Sequence, residues 1–117
     1  MTTQEVAEQI IKYINEGKNT QAQEELYADD VVNVEQDGQV VVGKLPVMEK
    51  TKAVMASVEQ FFGGGVSKAY VAKDSFLLEI SMDVKFKGQD RVSVKEYGFY
   101  EVKDGKVVKE TFFMKEM

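Results

Sequence analysis

Apolar residues recur every three to four positions at the start of the chain, at Val6, Ile10, Tyr13 and Ile14, with Gly17 after them. This is the stripe of an amphipathic helix, and Thr2 with Glu5 has the spacing of a capping box at its start. Thr20 and Gln23 repeat that spacing beside Ala22 and Leu26. A short second helix is predicted there, reaching Tyr27 and ended by Asp29 and Asp30, so that the two helices form a hairpin. Residues 31–36 and 39–42 are rich in valine and flank Asp37-Gly38, a strong β-hairpin signal. Pro46 suits the first turn of a third helix with Met48, Thr51, Met55, Val58 and Phe62 along one face, and Gly63, Gly64 and Gly65 read as its flexible stop. Those glycines follow a helix and lack a Gly-Lys-Ser/Thr ending, so they do not form a phosphate loop.

Beyond them the period changes from about 3.6 to two. Ile80, Met82, Val84 and Phe86 alternate with Ser81, Asp83, Lys85 and Lys87, one buried face and one wet. Val92, Val94, Glu96, Gly98, Tyr100 and Val102 continue the inward set, with Arg91, Ser93 and Lys95 facing away. Asp104-Gly105-Lys106 predicts a three-residue hairpin loop with a glycine bulge, which places Tyr100 and Val108 on one face. Val108, Glu110, Phe112 and Met114 then share a face, with Val107, Lys109, Thr111 and Phe113 on the other. Helix, helix, hairpin, helix and an antiparallel meander make an α+β architecture, because no crossover helices separate the late strands.

Composition narrows the chemistry. A chain of 117 residues fits a single domain, 1–117, with one core. No apolar run approaches the ~20 residues of a membrane span, and the first residues lack the basic-then-apolar order of a signal peptide, so a soluble, cytoplasmic protein without membrane contacts is expected. The chain has no cysteine and no histidine. Acid/base work therefore falls to Asp, Glu, Lys or Tyr, and neither a metal site nor a cofactor is expected. The net charge is −5 and Arg91 is the only arginine, which argues against a nucleic-acid partner.

Leu26-Tyr27-Ala28-Asp29-Asp30-Val31-Val32, then Gly43-Lys44 leading into a helix, and Asp104-Gly105-Lys106-Val107-Val108 late in the chain resemble the SnoaL-like family within the nuclear-transport-factor-2-like superfamily. The resemblance spans nearly the whole chain. It implies three helices packed on a curved antiparallel sheet, a cone-shaped half-barrel with an internal pocket, and a dimer through the outer sheet face. Relatives include polyketide cyclases, ketosteroid isomerase and proteins without chemistry, so the fold alone does not assign an activity. The family's general base stands eight positions after the motif's aromatic residue, which is Glu35 here. The aspartate that holds the oxyanion in the isomerase falls at Gly98, and its first-helix tyrosine falls near Ile10 or Ile11, with Tyr13 a substitute one turn along. The arginine between two acids of the epoxide-hydrolase type has no inward counterpart, since Arg91 is in the outward set.

Each candidate has a plain alternative. Glu35 is either a pocket acid or a solvated charge near a hairpin tip, and it faces water if Val32 and Val34 face the core. Glu96 and Glu110 lie on otherwise apolar faces, where a buried carboxylate needs a proton or a partner. Met48, Met55, Met82 and Met114 with Phe62, Tyr100 and Phe112 are either core or an adaptable apolar pocket lining. Tyr97, Phe99 and Phe113 in the outward set suggest a homodimer face. The expected partner is a small hydrophobic molecule. Missing histidine and Gly98 tilt the reading toward binding or assembly; the alternative is an isomerase- or cyclase-type enzyme that moves a proton on an apolar carbonyl compound, with Glu35 as base and Tyr13 or Tyr100 as hydrogen-bond donor.

Overall fold

A computed structural model of the protein describes residues 1–114. Helix α1 (Thr3–Asn15) starts on the predicted capping box: the Thr2 hydroxyl accepts from the Glu5 amide and the Glu5 carboxylate accepts from the Thr2 amide. Helix α2 (Asn19–Leu26) lacks a side-chain cap, and the Gln23 amide instead donates to Thr51 at 2.8 Å. Tyr27, expected to end this helix, opens strand β1 (Tyr27–Val34), which pairs with β2 (Val40–Val42) around the Asp37-Gly38 turn. Gly43, with φ of 104°, turns the chain into α3 (Lys44–Ala56).

The third helix is shorter than predicted. It ends at Ala56, and residues from Val58 onward, including all three glycines, lie in strand β3 (Val58–Val71). Gly63, Gly64 and Gly65 are therefore not a flexible stop. A Cβ on Gly64 would sit 2.3 Å from the Ser81 carbonyl oxygen, and one on Gly65 would sit 2.5 Å from Asn15 Oδ1. The glycines let the strand bend closely over its neighbour and receive the end of α1, whose Asn15 side chain accepts from the Val66 amide.

Strands β4 (Ser75–Phe86), β5 (Arg91–Lys103) and β6 (Lys106–Met114) complete an unclosed six-stranded sheet in the order β2-β1-β6-β5-β4-β3. It is antiparallel except where β6 lies parallel to β1. The β5–β6 turn is tighter than expected. Asp104 and Gly105 both have positive φ between paired Lys103 and Lys106, a two-residue type I′ loop. The irregularity falls later, where Glu101 pairs with Lys109 but Val102 with Val107. Val108 is the extra residue, so Val107 takes the fully buried place predicted for Val108.

The core joins α1 to the inner sheet face: Val6, Ala7 and Ile10 meet Val31, Phe76, Leu78 and Val107, each 1% exposed or less. A fully buried side chain of this size contributes about 1.5–3 kcal/mol, which holds α1 across one end of the curled sheet. The α3 helix covers the neighbouring region through Val47 and Met48. Between them a cavity remains.

Candidate functional site

The cavity has a volume of about 280 Å³. Its apolar wall is formed by Ile10 and Ile14 of α1, Val47, Val54 and Met55 of α3, and Ile80, Met82, Tyr100 and Phe112 of the sheet. Phe76 stacks on Tyr100 at 4.7 Å and Phe112 meets Tyr100 edge-on at 6.1 Å. A Cβ on Gly98 would come within 2.8 Å of the Tyr100 ring and 3.1 Å of Phe112. The glycine at the position where the isomerase carries an aspartate thus makes room for two aromatic rings.

The cavity wall also carries a chain of polar groups from β1, β6 and α3. Alternation along β1 turns Tyr27, Val31 and Asn33 inward and leaves Val32 and Val34 half-buried on the other face, and Glu35 follows the inward set. Tyr27 donates its hydroxyl to Glu110 Oε2, and Asn33 Nδ2 donates to Glu110 Oε1 at 2.8 Å. Lys50 of α3 reaches Asn33 Oδ1 at 3.0 Å and Glu35 Oε1 at 2.6 Å. Tyr27, Glu110, Asn33, Lys50 and Glu35 thereby form one continuous network from core to cavity.

Burial pushes the Glu110 carboxyl up to about 7, opposed by the hydrogen bonds from Tyr27 and Asn33 and raised further by the Glu35 charge. Burial likewise raises Glu96 to about 7, with Glu35 adding to it. The Tyr27 and Tyr100 hydroxyls are held well above the ordinary range by burial and by the Glu110 charge. Both tyrosines stay protonated near neutrality, so they act as donors, while Glu96 and Glu110 exchange protons there.

Met55, Met82, Glu96, Tyr100, Glu110, Phe112 and Glu35 line this one cavity. The remaining expected residues lie elsewhere. Tyr13 sits on the α2 side of α1, where Gln21 approaches its hydroxyl at 3.5 Å and a hydrogen bond with Glu25 raises its pKa, so it is no donor to the cavity. Met48 is buried outside the cavity lining. Phe62, in β3 instead of a helix, is 38% exposed beneath the Arg91 guanidinium at 3.8 Å. Met114 stands opposite Glu96 in the register but is 48% exposed at the end of β6. On the other sheet face Phe113 is 50% exposed, and Tyr97 and Phe99 are half-buried.

Sequence reasoning missed Tyr27, Asn33, Lys50 and Gln23. Asn33 carried a signal, since it shares the parity of Glu35. No group of three or more potential metal ligands forms a metal-binding cluster among the described residues, and no helix is long and apolar enough to cross a membrane.

Three helices on a curled, unclosed sheet around such a cavity define a cone-fold domain. The chain belongs to the SnoaL-like family, whose SnoaL-like domain matches residues 1–114. A solved structure from Mesorhizobium loti, described as a proposed SnoaL-like polyketide cyclase, is 33% identical with a TM-score of 0.88, over 97% of this chain and 99% of that one. A protein of ketosteroid-isomerase-like fold from Catenulispora acidiphila, in complex with trimethylamine, is 20% identical with a TM-score of 0.76, over 96% and 86%. A further proposed SnoaL-like polyketide cyclase, from Jannaschia sp. CCS1, has 14% identity and a TM-score of 0.83, over 96% and 86%. None of the curated proteins matches the chain.

Proposed function

We propose that the protein binds a small, mostly apolar molecule in the cone, with the molecule's polar end on the glutamates. The observation that carries this reading is the cavity of about 280 Å³, whose wall combines aliphatic and aromatic side chains with Glu35, Glu96, Glu110 and Lys50. Its size is near the lower end of small-molecule pockets, about 300–1,000 Å³. The Catenulispora protein of ketosteroid-isomerase-like fold was solved in complex with trimethylamine, which supports the idea that a protein of this fold takes up a small organic molecule. Binding without catalysis is favoured because Glu35, at the position of the family's base, is engaged by Lys50 at 2.6 Å. A thermal-shift panel of small organic compounds tests the reading. Amphiphiles with one polar group should raise the melting temperature in proportion to occupancy, whereas equal and negligible shifts across polar and apolar compounds would mean a closed core.

A second reading, an enzyme that moves a proton on an apolar carbonyl compound, has one observation in its favour: Glu96 and Glu110, both near 7, line the same cavity as Glu35. Glu35→Gln should then lower turnover roughly a hundredfold or more with folding intact, and full activity in that variant would remove Glu35 from the chemistry. The homodimer is part of the same proposal, supported by the exposure of Phe113 beside Tyr97 and Phe99.

A further inference from the structure

We infer that the molecule the cone is built to hold is a small apolar amine in its protonated form. The inference rests on the cone being a binding site and names the chemistry of its occupant. Glutamates from three places, Glu35 after β1, Glu96 on β5 and Glu110 on β6, line the cavity, against a single cation among the described residues, Lys50. That ammonium is already committed to Glu35 at 2.6 Å and Asn33 at 3.0 Å.

The hydrogen-bond inventory points the same way. Tyr27 and Asn33 donate to Glu110, and Gln23 Nε2 donates to Thr51, whose hydroxyl donates to the Val47 carbonyl. What is left over is acceptor capacity. Glu96 has neither a hydrogen bond nor an ion pair among the described residues. Gln23, 7% exposed and part of the cavity wall, has an Oε1 without a partner. The Tyr100 hydroxyl can donate or accept. A carboxylate ligand would bring a further negative charge among three glutamates, and a ketone or ether brings only another acceptor. An ammonium N–H supplies the missing donor and the missing positive charge together. Tyr100 and Phe112 add aromatic surface to the same wall, and Met55 and Met82 suit the amine's alkyl groups.

The protons on Glu96 and Glu110 fill the same deficit in the empty protein. The charged and titratable groups that share the cavity wall with Glu96 are Tyr100 of its own strand, Tyr27, Glu110, Glu35 and Lys50, of which the Glu35 charge acts on it directly, while α1 and β4 present only apolar side chains there. An ammonium entering among these groups displaces a carboxyl proton to solvent, so affinity rises as the carboxyls ionise. With a midpoint near 7, each carboxyl that must ionise makes binding roughly tenfold tighter at pH 8 than at pH 6.

Isothermal titration of the whole protein with benzyldimethylamine, benzyl methyl ether and phenylacetate tests this, since the three share a benzyl group and differ in charge. The amine should bind at least about tenfold more tightly than the ether at pH 8, release protons on binding, and lose about tenfold in affinity in Glu96→Gln. The pH profile of the wild-type protein needs no variant, and a flat profile would overturn the inference even if Glu96→Gln failed to fold. Ether or phenylacetate binding as tightly as the amine would also overturn it and leave the cone as a binding site. Binding of none of the three would remove both readings.

Discussion

Glu110→Gln should make the protein's stability much less sensitive to alkaline pH. Glutamine keeps the shape, and its amide can donate to Tyr27 while its oxygen still accepts from Asn33, so the network of two hydrogen bonds survives. Only the ionisable proton is lost. In the wild-type protein the folded carboxyl holds its proton up to about 7, against a value of 4.5 for the free side chain. Below 4.5 both folded and unfolded chains are protonated and the group has no effect. Between 4.5 and 7 the unfolded chain ionises and the folded one does not, so stability falls with rising pH; above 7 the loss is complete. At 1.36 kcal/mol per pH unit over that interval, the full loss is about 3 kcal/mol, of which about 2.5 kcal/mol falls between pH 5 and pH 8. Urea unfolding of both proteins at the two pH values measures it, with all other titrating groups common to both. The wild-type protein should lose about 2.5 kcal/mol more than the variant over this span. Equal losses would refute the claim that burial holds a proton on Glu110.

Lys50→Met removes a cation that favours the Glu110 carboxylate, so the Glu110 midpoint should move above about 7 in carboxyl-carbon NMR; an unchanged midpoint would mean that the lysine charge does not reach it. Gly64→Ala should destabilise by more than about 1 kcal/mol, because φ is 139° and the new Cβ would meet the Ser81 carbonyl. Gly63→Ala, with nothing within 4 Å of its Cβ, should be milder, and equal effects in urea unfolding would contradict the close-approach argument. Phe113→Glu should dissociate the proposed homodimer, and sedimentation of the wild-type protein as a monomer at about tens of micromolar would count against any such dimer.

The element order was legible because its signals are local. The capping box at Thr2 and Glu5, the Asp37-Gly38 turn and the alternation from Ile80 to Phe86 each depend on residues a few positions apart. The glycine run misled for a physical reason. Three glycines after an apolar helical stripe look like a stop, and only the partner strand reveals that Gly64 is required by the Ser81 carbonyl. The Val108 bulge was equally invisible, since it is set by the pairing of β5 with β6. Within the cavity, Glu96 and Glu110 stood out as carboxylates on apolar faces, whereas Tyr27, Asn33 and Lys50 each look ordinary until α3, β1 and β6 converge. Tyr13 failed because contacts with Gln21 and Glu25 of α2 claim its side of α1.

The most direct test of the cone as a binding site is a crystal structure of the protein soaked with the compound that gives the largest thermal shift. The compound should lie inside the cavity, its apolar part against Ile10, Ile14, Met82 and Phe112, with a polar atom within about 3.2 Å of Glu96 or Glu110. A compound seated on the outer surface, with those side chains closed on one another, would contradict it.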